Sequence, residues 1–161
     1  MNIRTSLAGA MLAGLAPLAH AATTVNCSVS AGSIAFGVYN PLSAVADAST
    51  GTLRITCNGS GTGSANVTVN LSLSAGLSGS YATRKMFSGA NALNYNIYWS
   101  TAYSQIMGDG SGGSFGGSAG PFVVPAGGSN FATGTMYGRI PALQDVAPGS
   151  YSDVITVTVT Y

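Results

Sequence analysis

The chain has 161 residues, of which 46% are hydrophobic and 6% charged, with a formal net charge of +1. That length suits a single ordinary domain with a buried core. A charge content far below the usual ~25%, with five Lys and Arg in all, leaves no basic patch for a nucleic acid. The near absence of Glu and Lys speaks against a helical bundle or coiled coil.

Residues 1–21 read as a secretory signal peptide. Arg4 precedes an apolar stretch from Leu7 to Leu18, and Ala19-His20-Ala21 supplies a small-x-small cleavage site. The apolar stretch, about 12 residues, falls short of the ~20 that span a bilayer. The expectation is an exported mature domain over residues 22–161, with no membrane span. Losing Arg4 and His20 leaves four cations, four aspartates and no histidine.

Beyond the leader the dominant period is two. Strands are expected at Thr24–Val29, Ser33–Val38 and Thr52–Cys57. The clearest alternation follows, with Val67, Val69, Leu71 and Leu73 on one face. Tyr95, Ile97 and Trp99 alternate next, then Phe122–Val124, Phe131–Arg139 and finally Tyr151–Tyr161. Turn signals at Asn40-Pro41, Asn58-Gly59 and Pro148-Gly149 separate them. Gly108–Gly128, dense in Gly and Ser, reads as an irregular loop. Its Gly108-x-Gly110-x-x-Gly113 lacks the helix that a dinucleotide site requires. Short strands joined by Gly/Ser turns describe an all-β sandwich.

Cys27 and Cys57 are the only cysteines. In an oxidising compartment they admit one pairing. Closing a loop of about 31 residues is worth roughly 3.7 kcal/mol in the chain-entropy account.

The residues that carry chemistry are scarce. Without His or Glu beyond the leader, no Ser-His-Asp or Cys-His site can be built, and no metal or cofactor is expected. Asp47 and Asp109 read as turn caps. Asp145 and Asp153 flank a Pro-Gly turn, could pair with Arg139, and read as structural. Arg54, Arg84 and Lys85 read as surface cations. The chain is therefore expected not to be an enzyme. Its one physical oddity is the last strand, Tyr151–Tyr161, apolar on one face and lacking the Lys, Pro or bulge that protects an edge. Either the fold covers that edge or another chain completes it by strand addition.

Several segments resemble the spore coat protein U domain family, which includes subunits of archaic, Csu-type chaperone–usher pili. They are Cys27; Phe36-Gly37-Val38-Tyr39-Asn40-Pro41; Cys57; Arg84-Lys85-Met86; Leu93-Asn94-Tyr95-Asn96-Ile97-Tyr98; and Gly108-Asp109-Gly110. Tyr137-Gly138-Arg139-Ile140-Pro141 with Gln144, Pro148-Gly149-Ser150-Tyr151-Ser152-Asp153, and Val157-Thr158-Val159-Thr160-Tyr161 complete the set. The resemblance implies an immunoglobulin-like sandwich lacking its last strand. It implies as partners a periplasmic pilus chaperone, an outer-membrane usher and other pilus subunits. It places the protein in the periplasm in transit, then in a surface pilus or secreted. Ile155, Val157, Val159 and Tyr161 are the expected strand-acceptor groove.

One feature departs from the family pattern. Only Ala22–Asn26 precede Cys27 in the mature chain, about 17 Å when extended and too short for a donor strand of roughly ten residues. The expected role is therefore to accept a strand, at a pilus tip or in a coat. Two alternatives stand beside the adhesive or structural pilus subunit. One is a self-contained secreted coat or matrix protein. The other is a small carbohydrate-binding sandwich that stacks sugars on Tyr98, Trp99 and Tyr103.

Overall fold

The computed structural model describes residues 22–161; residues 1–21, where a signal peptide is expected, lie outside the described residues. Ten strands follow in chain order: β1 (Thr24–Ala31), β2 (Asp47–Ser60), β3 (Ser64–Leu73), β4 (Arg84–Ser88), β5 (Asn91–Tyr98), β6 (Ile106–Met107), β7 (Ser114–Phe115), β8 (Gly117–Pro125), β9 (Ser129–Ile140) and β10 (Val157–Thr160). They form a seven-stranded sheet in the order β1-β2-β9-β5-β6-β7, with β4 also on β5, and a three-stranded sheet β10-β3-β8. The fold is the all-β sandwich that the alternation predicts.

The core follows the two-residue period. Leu53, Ile55 and Cys57 of β2, Met136 of β9 and Ile97 of β5 face Val67, Val69, Leu71 and Leu73 of β3 and Val124 of β8. On β2 and β3 the intervening Ser, Thr and Asn point outward. Cys27 and Cys57 lie directly opposite each other in the β1–β2 ladder, Cα to Cα 4.0 Å, and form the expected disulfide. The bond fixes β1 at the edge of the larger sheet.

Four expectations are corrected. Gly108–Gly128 is largely ordered: it holds β7 and the nine-residue β8, which pairs with β3. Its glycines serve close packing. A Cβ on Gly117 would collide with the Trp99 ring, and Gly120, at φ +116°, sits where the β3–β8 register shifts between Val67 and Val69. Conversely, Ser33–Val38 belongs to no strand, although its burial still alternates, with Ile34 and Phe36 packed on the core. In Tyr151–Tyr161 only Val157–Thr160 forms a ladder, and Ser152 makes a lone bridge to Phe87.

The fourth correction concerns Arg84. It is no surface cation but a fully buried side chain. Its Nε and Nη2 donate to the Ser74 carbonyl at 3.1 and 2.7 Å, Nη2 also to the Met107 carbonyl at 2.7 Å, and Nη1 to Asn96 Oδ1 at 2.8 Å. Its guanidinium carbon lies 5.2 Å from the centre of the Tyr81 ring. Neutral acceptors from the end of β3, from β5 and from β6 thus hold one buried charge. Arg54 does lie at the surface, 3.7 Å above the Phe131 ring.

Two stability changes follow. Arg84→Ala should lower unfolding free energy by at least about 3 kcal/mol in urea titrations, because it strands buried acceptors. Arg84→Lys should recover little of that loss, since an ammonium cannot span the same planar fork. Cys27→Ser should cost roughly 2–5 kcal/mol on the same axis.

Candidate functional site: an open groove between two extended segments

Seven strands face three, so part of the larger sheet's inner side has no strand above it. The floor there consists of Met86, Leu93, Tyr95, Ile97, Met136 and Ile140, all buried side chains of β4, β5 and β9. Two extended segments frame it: the stretch after β1, including Ile34 and Phe36, and the stretch before β10, including Val146, Tyr151 and Ile155.

The resulting groove comprises two cavities that share Ile34, Met86 and Tyr151. One is about 720 Å³ and reaches Tyr39, Pro41 and Pro148; the other is about 450 Å³ and reaches Ala31, Ile155 and Val157. Asp153 is the sole formally charged side chain lining either one.

Each wall is held from behind. Ile34 and Phe36 rest on glycines: a Cβ on Gly138 would stand 2.6 Å from Ile34 Cγ2 and 2.7 Å from Phe36 Cζ, and one on Gly51 would stand 2.8 Å from Ile34 Cγ1. Phe36 also meets Tyr95 edge to face at 6.1 Å. Tyr39 donates from its hydroxyl to the Pro141 carbonyl at 3.0 Å and accepts from the Gln144 amide at 2.8 Å. The Gln144 side chain bonds both the N–H and the C=O of Asn94, each at 2.9 Å. It thereby acts as a surrogate strand where β9 has ended before Pro141.

The opposite wall hangs on Ser74 and Asp153. Ser74 N–H donates to the Thr156 carbonyl and Ser74 Oγ accepts from the Thr156 N–H, both at 2.9 Å. Asp153 accepts from the Tyr95 hydroxyl at 2.8 Å and from the backbone N–H groups of Leu77 and Val154. It therefore does not pair with Arg139, whose guanidinium instead lies 4.9 Å from the centre of the Tyr103 ring. Asp145 is exposed. Burial first, and then the Asp153 carboxylate, push the Tyr95 phenol well above its ordinary pKa.

Of the four expected groove residues, Ile155 and Val157 line the smaller cavity. Val159 packs against the core and Tyr161 is 55% exposed; neither lines either cavity. The open space lies upstream of β10, between Val146 and Val157. Sequence reasoning missed the contribution of residues 31–41. The signal was present in the alternation of Ile34 and Phe36, which read as a strand rather than as an unpaired wall.

The expected sugar platform is not one surface. Trp99 is half-buried, its Nε1 donating to the Phe115 carbonyl at 3.1 Å and its ring against Gly117. Tyr98 and Tyr103 meet edge to face at 5.4 Å. Among the described residues no group of three or more His, Cys, Asp or Glu is placed to hold a metal ion. Nor is any helix there long and apolar enough to cross a membrane.

The Spore Coat Protein U domain profile matches residues 15–158. The chain belongs to that family. No curated protein matches it in sequence. A solved structure with the same fold is the chaperone–tip adhesion subunit pre-assembly complex, CsuC–CsuE, of archaic chaperone–usher Csu pili of Acinetobacter baumannii. The TM-score is 0.55 at 19% identity, over 86% of this chain. The chain spans 40% of the length of the chain it matches there.

The Tyr95–Asp153 contact makes stability depend on pH at the alkaline end. The folded phenol holds its proton above the ordinary pKa of about 10. Its contribution is complete below about pH 10 and is lost as the pH rises further, when the unfolded chain releases a proton that the folded one keeps. Urea midpoints measured from pH 8 to 11.5 should fall above pH 10. Tyr95→Phe should shallow that fall while lowering stability at pH 8 by about 1.5–3 kcal/mol, because Asp153 loses a donor.

Proposed function

We propose that the protein is an exported subunit of a bacterial surface pilus built by the chaperone–usher route, and that it accepts a strand from another chain in the groove. The observation that carries this reading is the pair of extended segments, Ser33–Val38 and Tyr151–Thr156. Both alternate inward and outward like strands, and the groove between them has a strip of apolar core as its floor. One added strand would cover the floor and pair its backbone with the free edge of residues 151–157. The Spore Coat Protein U domain and the fold shared with a Csu chaperone–subunit complex support the same conclusion.

In this reading a periplasmic chaperone lends the first strand, and a pilus neighbour replaces it at the outer-membrane usher. The protein passes through the periplasm to the cell surface. β1 gives no strand in return, because Thr24–Ala31 is paired throughout with β2 and is tied there by Cys27. The role is therefore that of an acceptor, structural or adhesive. Catalysis has no place in it.

Val157→Asp tests the reading. The substitution puts an unpaired charge against an apolar floor, at a cost of several kcal/mol. Co-purification with the cognate chaperone should be lost, whereas Thr158→Asp, on the outward face, should retain it. A wild-type monomer that folds reversibly alone, with slow hydrogen exchange along both edges of Val154–Thr160, would overturn the proposal and favour a self-contained coat protein.

A further inference from the structure

A second concave site lies on the other face of the larger sheet, away from the groove. Along β5, Leu93, Tyr95 and Ile97 point into the core, so Asn94, Asn96 and Tyr98 point outward. Arg139 of β9 stands opposite Asn96 and shares that face. Together with short side chains such as Ala46 and Ala142, these residues line a cavity of about 370 Å³, at the small end of ligand sites. Among the described residues Arg139 is the only charged one lining it, and it makes neither an ion pair nor a side-chain hydrogen bond to any of them. Asp47 registers with buried Ile140 and therefore sits on the opposite face. The side-chain amide of Asn94 and the Tyr98 hydroxyl are likewise unbonded to other described residues. Asn96, by contrast, is fully engaged with Arg84 and with the Tyr81 and Ala82 carbonyls.

The guanidinium is nonetheless held in place. Its carbon lies 4.9 Å from the centre of the Tyr103 ring, and that ring meets Tyr98 edge to face at 5.4 Å. Tyr103 takes this position at φ +50°, a left-handed backbone that a bulky residue adopts only at a cost. The turn from Ser100 fixes it there, the Tyr103 N–H donating to the Ser100 carbonyl at 3.2 Å. Backbone strain, a stacked cation and free polar groups thus meet at one cavity. We propose that this cavity binds an acidic sugar, whose carboxylate pairs with Arg139 and whose ring hydroxyls bond Asn94 and Tyr98. The planar fork of guanidinium donors accepts a carboxylate along its edge while Tyr103 covers one face. One positive charge matches one carboxylate. The neutral amide and phenol both donate and accept, which suits the hydroxyls of a sugar ring; an acidic peptide side chain brings no such hydroxyls. The site faces away from the groove floor, so a strand seated in the groove leaves it open, and the inference stands apart from the strand-accepting reading.

Titration calorimetry with trigalacturonate tests the proposal. It is run on the exported, disulfide-bonded chain, alone or with the chaperone that co-purifies with it, and the chaperone alone serves as blank. Wild type should bind trigalacturonate at least about tenfold more tightly than its methyl ester, which keeps the rings and loses the charge. It should prefer the sugar to a glutamate tripeptide, which keeps the charge and lacks the rings, by a similar factor. Arg139→Gln should bring the acid down to the level of the ester. Where Arg139→Gln does not fold, Ala142→Glu on the rim, which sets a carboxylate against that of the sugar, should do the same. Tyr103→Gly removes the ring and the backbone strain together, so it should weaken the acid several-fold without lowering the thermal midpoint. Tyr103→Phe, which keeps the ring, should bind as wild type does. Equal binding of acid and ester, or a preference that survives Arg139→Gln, overturns the proposal. Equal binding of tripeptide and sugar overturns the sugar assignment in favour of an acidic peptide, and no binding of trigalacturonate overturns the site altogether. Arg139→Gln should still co-purify with the chaperone, so a failure of this site is distinct from a failure of strand acceptance.

Discussion

One buried cation organises the structure on which the groove depends. Arg84 is enclosed with no carboxylate in direct contact, and burial lowers its hold on its proton, while Tyr95, Tyr81, Asp153 and Asp109 act the other way. A guanidinium stays charged even so, so its surroundings must supply the solvation that water no longer gives. The Ser74 and Met107 carbonyls and Asn96 Oδ1 do this. Each acceptor belongs to a different part of the sandwich, so the charge can be satisfied only when β4, β5, β6 and the end of β3 have come together. Ser74 carries the constraint one step further. While its carbonyl serves Arg84, its N–H and Oγ hold Thr156. The inner wall of the groove is therefore built from behind, before anything occupies the groove.

That arrangement resolves a physical conflict. The strip of Met, Leu, Ile and Tyr is buried only by half-buried walls, Ile34 and Phe36 on one side and Val146, Tyr151 and Ile155 on the other, and every Å² of apolar wall left in water forgoes roughly 25 cal/mol. Collapse would require the walls to close over the floor. Ser74 and Asp153 hold one wall, while Gly51, Gly138, Tyr39 and Gln144 seat the other. These contacts keep the strip open.

How much of this was legible in the sequence divides along a physical line. Period-two alternation marked β1, β3, β5 and the long β2–β9 pair, because each of these buries one face against the opposite sheet. It could not separate a paired strand from an extended wall, since Ile34 and Phe36 alternate inward as Val67 and Val69 do; alternation reports burial, and pairing depends on what lies alongside. Composition misled at Gly117–Pro125, where small residues allow Trp99 and the bulge to fit rather than loosen the chain. Arg84 was misread because a buried arginine needs partners far away in sequence, Asn96 and Met107 among them. The motifs behind the family resemblance did mark the groove. Phe36, Tyr39, Arg84, Asn94, Tyr95, Gly138, Pro141, Gln144, Tyr151 and Asp153 are the residues that brace its walls and floor.

The two edges of the smaller sheet differ in how they are protected. At β8 the chain passes directly into the larger sheet. Gly59 N–H donates to the Gly128 carbonyl at 2.9 Å, Gly127 N–H returns to the Gly59 carbonyl at 2.8 Å, and Asn130 Nδ2 reaches the Val123 carbonyl at 3.3 Å. Pro121 and Pro125 remove two further donors from that edge. At the β10 side the same sheet carries Thr and Val with no proline and no glycine from Tyr151 to Tyr161, and Val154 is 70% exposed beside the free backbone. A marginal or poorly packed domain would leave both edges unguarded. Here one is sewn shut by hydrogen bonds and proline, while the other is kept straight, apolar and braced. In the proposed strand-accepting role, the second edge is the one that would bind.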